Sequence, residues 1–178
     1  MRMHTCAHDK VLLTFEATVR PREANTSRNL EAVRSAARPW QRALQTFSYI
    51  TGSTSGGVEM RRDGVITVRF TCDLIRVYVA EELSQYAGAV SMVFRHERAH
   101  AAAWEAAMAP MLQTIGTVFE QRLGRTPNVD SVMDVAQPLR PRVDVCVRNS
   151  TKALDQEDYP PLRAALLRLG VPADLGTR

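Results

Sequence analysis

Residues 96–100 read His96-Glu97-Arg98-Ala99-His100, two histidines four apart with a glutamate directly after the first. On a helix, positions i and i+4 lie about 40° apart around the axis, so both imidazoles can reach one ion. Glu97 falls about 100° round from His96, near such an ion yet able to hold a water against it. Zinc suits this arrangement, because imidazole nitrogens bind it well and an open fourth position activates water. The Glu97 carboxylate would take the proton of that water and pass it to the leaving amine. The motif thus points to hydrolysis of a peptide or amide bond, with Glu97 catalytic and His96 and His100 as zinc ligands. Its plain alternative is a pair of helix histidines that are merely hydrogen-bonded.

A third ligand is needed. The extended pattern HExxHxxGxxH requires Gly at 103 and His at 106, where this chain has Ala103 and Ala106. Glu120 stands 20 residues after His100, a spacing at which a glutamate on a following helix completes some sites of this kind. It is the favoured third ligand, on condition that the chain turns near Ala109-Pro110. In a straight helix it would lie about 30 Å away. Glu105 is the runner-up, although it sits about 140° round from His100. His4, Cys6 and His8 form a second cluster of metal-ligating types, within a first ten residues that read as a mobile terminus. Glu97 and His100 also spell ExxH, half of a di-iron carboxylate site. That reading fails because neither His4 nor His8 has a glutamate three residues before it.

The elements around the motif follow from periodicity. Residues 11–19 alternate as a half-buried strand. Residues 27–44 have helical spacing, interrupted or restarted at Pro39. Strand-like runs at 46–51, 58–62, 65–71 and 74–79 are separated by a Gly/Ser-rich hairpin loop at 52–57 and a tight turn at Asp63-Gly64. A long Ala-rich helix runs from Leu83 to about Met108, breaks or kinks at Pro110, and resumes from Met111 to Leu123. Residues 142–148 alternate as a late strand, and 161–169 make a short final helix stopped by Gly170. The expected fold is α+β over residues 1–178 as a single domain. A small, mainly antiparallel sheet packs on the long HExxH helix, with the active-site helix and its successor at 83–123.

On these residues the chain resembles the zincin class of HExxH metallopeptidases. Within that class it is most similar to a family of small bacterial secreted proteins described as zinc-dependent proteases. The likeness covers about Phe47 to Met108 and rests on 71–79 (TCDLIRVYV), Tyr86 and Phe94-Arg95-His96-Glu97-Arg98-Ala99-His100. It departs at Ala99, where Gly is common, and at Tyr86, the nearest match to an upstream Trp. The resemblance implies a sheet edge beside the active-site helix, zinc on His96 and His100, Glu97 as general base, and a secreted or periplasmic location. A peptide, protein or cell-wall substrate follows from the same likeness. A donor for the developing oxyanion is also required, and Tyr78, Tyr159 and the arginines are its candidates.

Composition sets the remaining bounds. The 178 residues are 45% hydrophobic and 24% charged, values of a globular chain with a core and not of a disordered one. No apolar run is long enough to span a membrane. Of 23 basic residues only Lys10 and Lys152 are lysines, and the arginines are scattered, so the net charge of +4 does not suggest a nucleic-acid partner. Cys72 and Cys146 are able to pair in an oxidising compartment, or to pack as buried thiols. Residues 1–10 lack the apolar centre of a signal peptide. The competing function is a non-catalytic metal-binding or protein-interaction domain that retains the HExxH helix.

Overall fold

The computed structural model describes residues 2–173 and 175. Five strands and five helices alternate along it. They are β1 (Arg2–His8), β2 (Val11–Val19), β3 (Asn25–Arg28), α1 (Leu30–Ala36), α2 (Pro39–Ala43), β4 (Ser48–Met60), β5 (Ile66–Ala80), α3 (Ala89–Arg122), α4 (Val129–Ala136) and α5 (Arg140–Arg168). Short 3-10 turns precede α3 and α5. The strands form one sheet in the order β1-β2-β5-β3, with β4 also paired to β5. β1 runs antiparallel to β2, whereas β3 runs parallel to β5. The α+β class expected from periodicity is the class observed.

The chain divides into two compact units, each discontinuous in sequence, and β2, β4, β5, α3 and α5 supply residues to both. The first unit comprises residues 1–18, 53–73 and 101–150. Its core is the inward face of two strands, Leu13, Phe15, Ile66, Val68 and Phe70, together with Trp104, Met108, Leu112, Ile115 and Phe119 of α3. Those α3 positions recur every three or four residues, the spacing of one helix face. The second unit comprises residues 19–52, 74–100 and 151–178. It buries Leu30, Val33, Phe47, Leu74, Val77, Val79, Leu83, Val93 and Leu166. Asn29 caps α1 by accepting from the Ala32 backbone N–H, and Glu82 accepts from the Leu30 N–H at 2.9 Å. Pro39 begins α2 rather than bending α1, as suits a residue with no N–H to donate.

Several expectations change. Arg2–His8 form edge strand β1. Residues 52–57 are not a hairpin loop, because β4 passes through them unbroken. Gly56 instead marks close approach: a Cβ there would stand 3.4 Å from the Phe70 ring. The tight turn expected at Asp63-Gly64 is present, closed by the Arg61 N–H to Val65 carbonyl bond at 2.8 Å, with Gly64 at φ +79°. Pro110 does not break α3; it sits on the exposed side while the buried face continues past it. Residues 142–148 are helix, the early part of α5, which then runs through Pro160 and Pro161 to include the expected final helix.

The misread segment is explained by its valines. Val143 and Val147 are four apart and buried, so they satisfy a strand period and a helix period alike. Val145 decides, being 49% exposed. Replacing Val145 by Asp should therefore change stability by less than about 0.5 kcal/mol. Val143→Asp puts a charge into the core and should cost several kcal/mol. Urea denaturation of the two variants checks this, and a strand would make them equal.

Candidate metal centre

Every residue of the site belongs to the second unit. His96, Glu97 and His100 lie on the third and fourth turns of α3, which positions both imidazoles on one face as the i, i+4 spacing requires. α5 brings in a residue that spacing did not indicate, Asp155. The stripe Thr151, Asp155 and Tyr159 is buried at intervals of four, so α5 presents a polar line inward. Among the described residues, His96, His100 and Asp155 are the one group of three metal-ligating side chains whose donor atoms all lie within 4.8 Å of one another. Oδ1 of Asp155 is 3.4 Å from Nε2 of His96 and 3.2 Å from Nε2 of His100. All three are buried, at 7% exposure or less.

The surroundings fix each donor. The indole N–H of Trp40, on α2, donates to the other Asp155 oxygen, Oδ2, at 2.9 Å. Glu97 is fully buried, and the Ser48 hydroxyl at the start of β4 donates to its Oε1 at 2.5 Å. Its Oε2 is 3.5 Å from Nε2 of His100. Tyr159 stacks edge-on against His96, with ring centroids 5.4 Å apart. Its hydroxyl accepts from the Phe47 N–H and meets the Thr46 hydroxyl, each at 2.5 Å, which ties α5 to the segment that delivers Ser48. On the outer side of His96, Nδ1 lies 3.7 Å from Oδ2 of Asp158, a half-exposed carboxylate.

These contacts set the charges. Burial would lower the pKa of His100, but the adjoining Asp155 and Glu97 carboxylates outweigh it and raise it to about 9. Asp155 is held well below the usual carboxylate range: burial pushes it up, and His100, His96 and Trp40 together overcome that. The Tyr159 phenol is pushed up by burial and by the negative charge of Glu97. A proton on His100 thus occupies the place between two carboxylates where a cation would be equally favoured.

Two imidazole nitrogens and one carboxylate oxygen, all turned to one point, are compatible with a metal site. The buried Oε2 of Glu97 makes no hydrogen bond of ordinary geometry among the described residues and faces Nε2 of His100 at 3.5 Å. His96, His100 and Asp155 are thus compatible with a metal ion held between them.

Two other acids do not join the cluster. Glu120 is exposed, and because α3 is continuous from Ala89 to Arg122 it lies about 30 Å of helix beyond His100. The turn at Ala109-Pro110 that would have returned it does not exist. Glu105 is half-buried on the same helix and is not part of the group. His4, Cys6 and His8 share β1 and do not converge on a common point. Cys72 and Cys146 do not form a disulfide with each other. Tyr78 stacks on Tyr49 at 4.7 Å and its hydroxyl accepts from Arg76. No helix among the described residues is long and apolar enough to cross a membrane.

Comparison with protein-family models, with curated proteins and with solved structures returns no match to this chain.

The shift at His100 has a direct consequence for stability. The native state holds this proton more tightly than the unfolded chain, whose imidazole titrates near 6.5. The contribution is therefore complete below about pH 6.5 and is lost as pH rises through about 9. Metal-free protein should show a falling urea midpoint across that window, and His100→Gln should flatten the slope. A metal ion bound there would have to displace the same proton, so the affinity for added zinc should rise with pH over the same range.

Proposed function

We propose that the chain is a zinc-dependent hydrolase of the metallopeptidase type, acting on peptide or amide bonds. The observation that carries this reading is a three-donor cluster, His96, His100 and Asp155, with a separate carboxylate, Glu97, held beside it. Catalytic zinc sites use three protein ligands and leave a fourth position for water, whereas structural sites close all four. Bound zinc would supply Lewis acidity and lower the pKa of a water there.

The protein's own groups divide the remaining work. Ser48 anchors Oε1 of Glu97, which leaves Oε2 as the atom to receive the proton of the attacking water and later to give it to the leaving nitrogen. Asp155 lends negative charge to the cation through Oδ1. The Tyr159 hydroxyl is engaged with Thr46 and Phe47, so its role is to hold the Ser48 segment rather than to meet an oxyanion. The zincin likeness of residues 47–108 supports the same reaction class, and with it a peptide, protein or cell-wall substrate.

The deep burial of all four side chains favours one alternative, a metal that stabilises the fold without turnover. One pair of measurements separates the two. Purified protein should carry about one zinc per chain by elemental mass spectrometry. Glu97→Gln should keep that zinc and lose about 10²–10⁴-fold in hydrolysis of peptide or cell-wall substrates. Zinc retained by both proteins with no hydrolysis by either would leave the structural role, and no zinc in the wild type would remove both readings.

A further inference from the structure

Asp155 is gripped from both sides, and the two grips are chemically different. Oδ1 faces two imidazole nitrogens that can each be donor or lone-pair acceptor, whereas Oδ2 meets an indole N–H that can only donate. An indole neither ionises in the working range nor ligates a cation, so this bond persists whether or not a metal is bound. We propose that Trp40 is the positioning residue of the metal centre: it holds Oδ2 of Asp155 so that Oδ1 alone is offered to the ion. The inference rests on the metal-site reading and adds to it the residue that sets the geometry of the third ligand.

The surrounding sequence serves that role. Trp40 is the second residue of a five-residue helix opened by Pro39, whose fixed φ settles the direction of the first turn. The backbone N–H of Arg38 donates to the buried Gln41 side chain at 3.1 Å, and the Arg38 guanidinium stands over the indole, 5.1 Å from its ring centre. The ring is therefore held by its own helix as well as by its bond to Asp155. A hydrogen bond to a carboxylate is among the stronger kinds, and outer donors of this sort typically govern metal affinity by about 10–100-fold.

The same geometry makes an unusual demand on an amide at position 155. In Asp155→Asn the indole N–H still needs an acceptor, so the amide oxygen must turn to Trp40. The NH2 group then points at the histidines, where it cannot ligate. Removing the indole donor frees the amide to turn over and present its oxygen. Trp40→Phe should thus weaken zinc binding in the native background and strengthen it in the Asp155→Asn background. A residue that only stabilised the fold would weaken both.

The test is a zinc titration against a chromophoric chelator, with the full chain, for wild type, Trp40→Phe, Asp155→Asn and the double variant. Circular dichroism of each metal-free protein confirms folding. The expected result is a loss of about 10–100-fold for Trp40→Phe and a gain of about tenfold for the double variant over Asp155→Asn. Wild-type affinity in Trp40→Phe, or a double variant no tighter than Asp155→Asn, overturns the proposal. Absence of zinc binding by the wild type overturns the centre itself and the proposal with it. If Trp40→Phe does not fold, ¹H–¹⁵N spectra of the native sequence decide. The Trp40 indole signal, identified by its persistence in Trp104→Phe, should shift on saturation with zinc. An unmoved signal in zinc-bound protein contradicts the role.

Discussion

The Asp155 carboxylate joins three segments that are far apart in sequence: the indole of Trp40 on one oxygen and the imidazoles of His96 and His100 on the other. An unpaired carboxylate at 1% exposure would be prohibitively placed, so its burial holds only while α2, α3 and α5 stay in register around it. The second unit is therefore built on a polar knot rather than on apolar packing alone. Leu83, Val93 and Leu166 are buried in the same unit. Low local polarity in turn strengthens every charge interaction within it.

The same constraint separates two duties that the proposed hydrolytic site would have to keep apart. Ligands need to be negatively charged or neutral and aimed at one point, and His96, His100 and Asp155 are so aimed. A general base needs to stand beside that point without being used up as a ligand. Glu97 meets this condition because Ser48 fixes one of its oxygens from β4, and Tyr159 fixes the backbone that carries Ser48. Alignment of the proposed base thus depends on a strand, while alignment of the proposed ligands depends on helices.

Sequence made half of this visible. His96, Glu97 and His100 were legible because helix periodicity alone places them, and the strand at 11–19 and the turn at Asp63-Gly64 were legible by the same local logic. Asp155 was not, since it lies 55 residues beyond His100 with no spacing rule to tie it there. A signal existed in Thr151, Asp155 and Tyr159, polar residues at helical intervals of four. Reading 142–148 as a strand hid it, because the segment that carries Asp155 was then left outside any helix. Pro110 misled in the opposite sense. It suggested a turn that would have recruited Glu120, but an apolar face continuous from Trp104 to Phe119 outweighs the local cost of one proline. Local rules failed where burial over many residues decided the outcome.

The central claim is the identity of the three ligands, and anomalous diffraction at the zinc absorption edge from crystals of zinc-loaded protein tests it most directly. The account predicts one peak per chain, at about 2.0–2.2 Å from Nε2 of His96, Nε2 of His100 and Oδ1 of Asp155. A peak that engages Glu105 or Glu120 in place of Asp155, or no peak between the two histidines, would contradict it.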